Sequence, residues 1–325
     1  MNLSRRRLLS SLTSLSVAPL AFPARAAVRH ELVLDWATYN PLSLVLKDKG
    51  WVEEDLGRDG VRVRWVQSSG SNKALEFLNA GSLHFGSTAG AAALLGRING
   101  NPIKIVYVFS KPEWTALVTR PDTGIARVED LRGRRVAATK GTDPFIFLLR
   151  ALDRHGLAAK DVQLVLLQHD QGRAALERGD VDAWAGLDPM MAQAELESGA
   201  RLFYRDPDAN SWGVLNAPEV LVAERPDLVA RIVALYERAR RYAREHPAEL
   251  RALLARAARI SEAVAARQLE RTSLSDPRVG EAQFASIAAA GKALRAAGIV
   301  RAEIDVEAET RALLEPRFTN ALPLG

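Results

Sequence analysis

One local plan occurs twice in this chain, and the repeat constrains the fold more than any single motif. In LEFLNAGSLHFGSTAGAAALLGRI (Leu75 to Ile98), a helical pattern stops at Gly81. A short apolar strand follows through Leu83 and Phe85, and the small-residue turn Gly86-Ser87-Thr88 opens a second helix. Ninety-eight residues after Gly81, the run LERGDVDAWAGLDPMMAQAEL from Leu176 repeats the plan. There a helix ends at Gly179, a strand passes through Val181 and Trp184, and a new helix starts at Asp188-Pro189. A strand-turn-helix junction aims unpaired N–H groups and the positive end of a helix dipole at one spot, which suits an anion. Two such units that far apart predict two similar lobes facing one cleft.

The first 26 residues read as an export signal. Ser4-Arg5-Arg6-Arg7-Leu8-Leu9 is a twin-arginine-type start, a Ser-rich apolar segment runs to Phe22, and Ala24-Arg25-Ala26 offers a cleavage site. The segment is too short and too polar to be a membrane anchor. Removing it takes away Arg5, Arg6, Arg7 and Arg25, so the formal net charge falls from +5 to +1. The basic character therefore belongs to the signal, and a nucleic-acid role loses its footing. The chain has no cysteine, which excludes disulfides, thiol nucleophiles and Cys-Zn sites. A soluble periplasmic protein follows from these features, and about 299 mature residues suit two lobes.

Glu31 to Trp36 reads as a buried strand bounded by a turn at Asn40-Pro41, with a helix from Leu42 to Lys49. Val61 to Val66 is a strand with one wet face, and Ser68-Ser69-Gly70-Ser71-Asn72 leads into a helix from about Lys73. Ile103 to Phe109, Thr115 to Thr119, Arg135 to Thr139, Gln163 to Leu167, Ala200 to Tyr204 and Glu219 to Ala223 read as further strands. Asp143 as N-cap with Pro144 opens a helix, Gly172 to Arg178 is another, and the chain is helical from Arg225-Pro226 to about Ala297. The order is that of an α/β protein with mostly parallel sheets, whose ligands sit beyond the carboxyl ends of the strands. The division predicted is 27–113 with 214–325 in lobe one and 114–213 in lobe two.

Five histidines without metal-ligand spacing, no G-x-S-x-G elbow and no nucleotide-binding loop leave few routes to catalysis, and no metal or cofactor is expected. What remains is polar turns at strand ends: Ser68-Ser69-Gly70, Ser87-Thr88, Gly141-Thr142 and Leu187-Asp188. Trp36, Tyr39, Trp114, Trp184 and Trp212 lie near strand ends or lobe crossings, where some could form an apolar wall.

At these turns the chain resembles the periplasmic solute-binding proteins of ABC importers for aliphatic sulfonates, taurine and nitrate. The resemblance rests on Leu78 to Ala92, Val128 to Leu152 and Leu176 to Pro189, and extends over nearly the whole mature chain. It implies a two-lobed periplasmic-binding-protein fold of type II, with two crossings near Trp114 and Trp212 and a central cleft. The implied protein is a monomer rather than an enzyme, closes on a small organic anion and docks on a membrane permease. Matched to the family's motifs, the anion-holding turns are Ser87, Thr88, Ala89 and Gly90, then Gly141 and Thr142, then Asp188-Pro189, with Tyr39 and Asn40 at the first-strand turn. Trp36, Ser68, Gly70, Trp114 and Trp212 complete the expected ligand-binding set. Thr88-Ala89-Gly90-Ala91-Ala92 stands where sulfonate binders often have T-G-E-A-P, and Leu187 where they have tryptophan. Asp143 would repel a sulfonate unless it turns away to cap its helix. A pyrimidine-type thiamin precursor is the rival solute, and a desulfinase-like or pyrimidine-synthase enzyme the rival class.

Overall fold

The computed structural model describes residues 30–323, so the export-signal segment lies outside the described residues. Among the described residues eleven strands build two sheets: β1 (Glu31–Trp36), β2 (Arg62–Gln67), β3 (Gly86–Ala89), β4 (Ile103–Pro112), β5 (Leu117–Thr119), β6 (Arg135–Ala138), β7 (Gln163–Leu166), β8 (Ala183–Ala185), β9 (Arg201–Tyr204), β10 (Gly213–Pro218) and the two-residue β11 (Thr272–Ser273), which only extends the first sheet at the outer edge of β4. In the first, β2 and β1 pair in parallel, Leu34 bridges Phe85 just before β3, and β10 lies antiparallel between β3 and β4. In the second, the order is β7-β6-β8-β5-β9, with β5 antiparallel to both neighbours. With the short edge strand β11 set aside, the orders β2-β1-β3-β10-β4 and β7-β6-β8-β5-β9 correspond place by place. The fourth strand of each sheet is the one lying directly after a crossing from the other. This is the two-lobed architecture expected from the repeat.

The crossings run through residues 113–116 and 205–212 and are tied by one side chain. Asn210 accepts from the Thr115 N–H at 2.9 Å and donates to the Thr115 carbonyl at 3.3 Å and to the Asp206 carbonyl at 2.9 Å. One buried apolar cluster includes Leu32, Leu34, Phe85 and Val108 of the first lobe with Trp114 of the crossing and Val136, Phe145 and Leu187 of the second lobe. The lobes are thus closed on each other. Helix Asp143–Arg154 shows why: Ile146 and Phe147 are buried along with Phe145, Leu148, Leu149 and Leu152. Its stripe is widened because it packs on its own sheet and also on helices Gly90–Ile98 and Glu281–Ala296 of the other lobe.

Two expected elements change. Glu219 to Ala223 is helical, in Glu219–Glu224, and the returning strand is β10 just before it. A short apolar run fits either state; Pro218 precedes the helix and Glu219 stands in its first turn, both favourable there. The strand of the first repeat unit also lies later than expected: Leu83 and His84 are outside it, Phe85 makes only a bridge to Leu34, Gly86-Ser87-Thr88 is strand rather than turn, and the helix begins at Gly90. Among the described residues, no helix is long and apolar enough to cross a membrane.

Candidate functional site

Between the lobes lies a small hollow of about 10 Å3, lined by Tyr39, Ser71, Trp114, Thr142, Asp143, Pro144, His169 and Leu187. Three helices begin at it. Helix Ser71–Asn79 starts after Gly70 in the first lobe, and helices Asp143–Arg154 and His169–Arg178 start after Thr142 and Gln168 in the second. The first-turn N–H groups of a helix have no partner within it, and its dipole adds partial positive charge at that end. The three ends favour negative charge in the hollow without a lysine or arginine in its lining. Tyr39 and Trp114 meet edge to face, with centroids 6.0 Å apart, and supply its aromatic wall.

Asp143 does not cap its helix; Thr142 holds the N-cap position, and its hydroxyl is turned to the Thr139 carbonyl at 2.6 Å. The Asp143 carboxylate instead ties down the crossings. Its Oδ2 accepts from the Trp114 indole N–H at 2.8 Å and from the Ser211 N–H at 2.9 Å. Burial raises its pKa, opposed by these two bonds. His169 is buried, and desolvation pushes its pKa down to about 4.

The Ser87–Gly90 segment, expected to hold the anion, has its donors engaged inside the protein. Asp35 accepts from the Ser87 N–H at 2.9 Å and from its hydroxyl at 2.8 Å, and Asn40 donates to Ser87 Oγ at 2.7 Å. The Thr88 hydroxyl accepts from Asn216, and the Ala89 N–H donates to Ser71 Oγ at 2.9 Å. The Gly90 N–H meets the Trp212 carbonyl at 2.9 Å. These residues therefore form the floor that positions Ser71 and Tyr39, whose hydroxyl donates to the Ser87 carbonyl at 3.0 Å. Desolvation raises the pKa of Asp35 to about 6, while the two bonds from Ser87 hold it down in part.

Of the remaining expected residues, Tyr39, Trp114 and Thr142 line the hollow. Gly70 and Gly141 stand beside it. Ser68 is buried with its hydroxyl unpartnered. Asn40 caps helix Pro41–Lys49 and braces Ser87. Trp36 is not in the hollow: it faces a separate, open groove with Thr38, Gln67, Pro189 and Met190, since alternation along β1 turns it opposite to Asp35. Trp212 is half-buried on the second crossing under Lys111, and Asp188 is buried near Arg271, 3.6 Å away. Ser71, Asn72, Asp143 and His169 were not in the expected set. A polar residue opening a helix after a parallel strand was the signal available for Ser71 and His169.

Gly70 is a place where the lobes lie close together. A Cβ there would lie 2.8 Å from Asn72 Oδ1 and 3.0 Å from His169 Nε2. The extended backbone accepts alanine, and the Asn72 amide is the end of a side chain that can turn aside, whereas the His169 ring is held by Thr139, so the strain of Gly70→Ala falls on closure. The expected result is a more open molecule, read as a larger radius of gyration by small-angle scattering, with a melting temperature within about 2 °C of the parent. A large drop in melting temperature would place the clash inside the first lobe instead.

Residues 43–250 match the model of the NMT1/THI5 like family. The chain belongs to that family. A relative from Bacillus subtilis (strain 168) named for aliphatic sulfonates binding is 28% identical over 206 residues, 62% of this chain and 62% of that protein. One from Escherichia coli (strain K12) with the same name is 35% identical over 153 residues, 47% and 48% of the two chains. The matches thus span less than two thirds of those relatives. Among solved structures, the alkanesulfonate-binding protein SsuA from Xanthomonas axonopodis pv. citri bound to MOPS shares the fold. Its TM-score is 0.79 at 23% identity, covering 87% of this chain and 99% of that one. All three relatives are binding proteins by name.

Proposed function

We propose that this protein is the periplasmic solute-binding component of an ABC importer, capturing a small organic anion of the aliphatic-sulfonate class between its lobes. The observation that carries this reading is the convergence of three helix starts, at Ser71, Asp143 and His169, on one closed interlobe hollow. The names of its relatives support the same solute class. The helix ends hold the anionic head, Tyr39 and Trp114 contact the organic part, and the lobes swing about the two crossings to admit and release it. The closed form is what a membrane permease would meet when the solute is loaded. The protein acts as a monomer and carries out no chemistry on its solute.

Titration calorimetry of the mature protein with taurine, alkanesulfonates and nitrate tests the proposal. Saturable one-to-one binding of at least one sulfonate is expected. No binding by any of them overturns the solute assignment, and binding of an aminopyrimidine alone moves it to heterocycles.

A further inference from the structure

The tautomer of His169 is fixed by its neighbour, and it narrows the solute. His169 Nδ1 lies 3.1 Å from Thr139 Oγ1. The single hydroxyl proton of Thr139 is already donated to the Leu167 carbonyl at 2.8 Å. Thr139 Oγ1 can therefore only accept from His169, and the ring proton sits on Nδ1. With its pKa pushed to about 4 by burial, the ring carries no second proton at neutral pH. Its Nε2 is a bare lone pair. That atom is buried and has no hydrogen-bond partner, and its residue lines the hollow.

Other acceptors stand close by. Asn72 Oδ1 is also buried without a partner, and a Cβ on Gly70 would lie within 3.0 Å of both atoms, 2.8 Å from Asn72 Oδ1 and 3.0 Å from His169 Nε2. As placed, with its oxygen among these acceptors, the Asn72 amide makes no hydrogen bond to Nε2. Asp143 adds a buried carboxylate to the lining, with Trp114 and Ser211 both bonded to the same oxygen. A plain alkanesulfonate offers only acceptors. It would leave Nε2 desolvated and unpaired, a loss comparable to that of a missing buried hydrogen bond.

Resting on the proposed binding role, we infer that the solute carries a hydrogen-bond donor beside its anionic head, an ammonium, amino or hydroxyl group, and that His169 Nε2 reads it. Asp143 supplies the complementary charge when the donor is an ammonium. The helix ends then serve the negative part of the solute and these acceptors its donor, so the carboxylate beside an anion site is accounted for. His169 is in this sense a specificity-determining residue.

The test compares ethanesulfonate with 2-aminoethanesulfonate and 2-hydroxyethanesulfonate by calorimetry at neutral pH. The parent protein, His169→Leu and His169→Gln are used, each checked for folding by circular dichroism. In the parent, at least one donor-bearing sulfonate should bind about tenfold or more tightly than ethanesulfonate. His169→Leu should reduce that ratio to about threefold or less, and His169→Gln, which keeps an acceptor, should retain part of it. Equal affinity for all three in the parent overturns this inference and leaves the sulfonate reading standing; binding of none removes both. Proton–nitrogen correlation spectra of the unliganded parent give a readout independent of any variant's folding. A proton on His169 Nδ1 is expected, and a proton on Nε2 overturns the inference.

Discussion

Asn210→Ala lowers the unfolding free energy by about 3 kcal/mol, read as a shift in the urea midpoint at unchanged slope. Asn210 is fully buried. Its amide does for the two crossings what a backbone pair does in a sheet, closing a two-way contact with the Thr115 N–H and carbonyl. It also donates to the Asp206 carbonyl. Alanine leaves a buried N–H without its acceptor and removes the donor from two carbonyls. An unmet buried group of this kind costs about 1–3 kcal/mol, and carbonyls tolerate it better than N–H groups. Asn210→Asp keeps an acceptor for Thr115 but brings a carboxylate near Asp206 and Asp143, so it gains nothing over alanine at neutral pH. A loss under about 1 kcal/mol would mean that the contacts of Lys111 with the Asn210 carbonyl and of Arg150 with the Ala209 carbonyl hold the crossings instead.

What the sequence made legible were features decided locally. The buried strand at Glu31–Trp36 and the helices closed at His246-Pro247 follow from apolar period and from proline, and they stand where expected. The Ser87 segment was misplaced because its determinant is remote. Small polar residues in sequence suggest a turn, yet here they form a buried strand satisfied by Asp35, which lies 52 residues away in the chain. The sheet order has the same character. β10 lies between β3 and β4 only because the chain returns from the second lobe, and no local pattern reports a return. In the site, Thr142 and Tyr39 were visible as helix-start and strand-end residues. His169 was passed over because the helix was begun three residues late, at Gly172 rather than His169. That small boundary error hid a ring whose place at the helix start puts it in the hollow.

Arg271→Met is expected to cost about 3–5 kcal/mol of stability at pH 8 and only about 1 kcal/mol at pH 5. Arg271 follows helix Glu262–Glu270, and its guanidinium crosses to the second lobe, reaching Glu195 and standing 3.6 Å from the Asp188 carboxylate. Asp188 is buried, and desolvation raises its pKa from 3.8 to about 7 against the pull of Arg271, with Glu195 and Glu113 pushing it further up. The folded protein therefore keeps a proton on Asp188 between about pH 4 and pH 7 that the unfolded chain has released. This group's contribution to stability is full below about pH 4, declines as pH rises to about 7, and is level above. Removing the guanidinium raises the Asp188 pKa again and carries the decline past pH 7. At pH 8 the variant must either bury an uncompensated carboxylate or bind a proton at cost. At pH 5 Asp188 is protonated in both proteins, and only the contacts of Arg271 with Glu195 are lost. Urea unfolding at the two pH values measures the difference, and equal penalties would show that Asp188 is not the group responding. The double variant Arg271→Met with Asp188→Asn should recover most of the loss at pH 8, because no charge is then left without its partner. Since the cation sits on one lobe and both carboxylates on the other, the same pair biases the molecule toward closure. The single variant should accordingly weaken solute binding more at pH 8 than at pH 5.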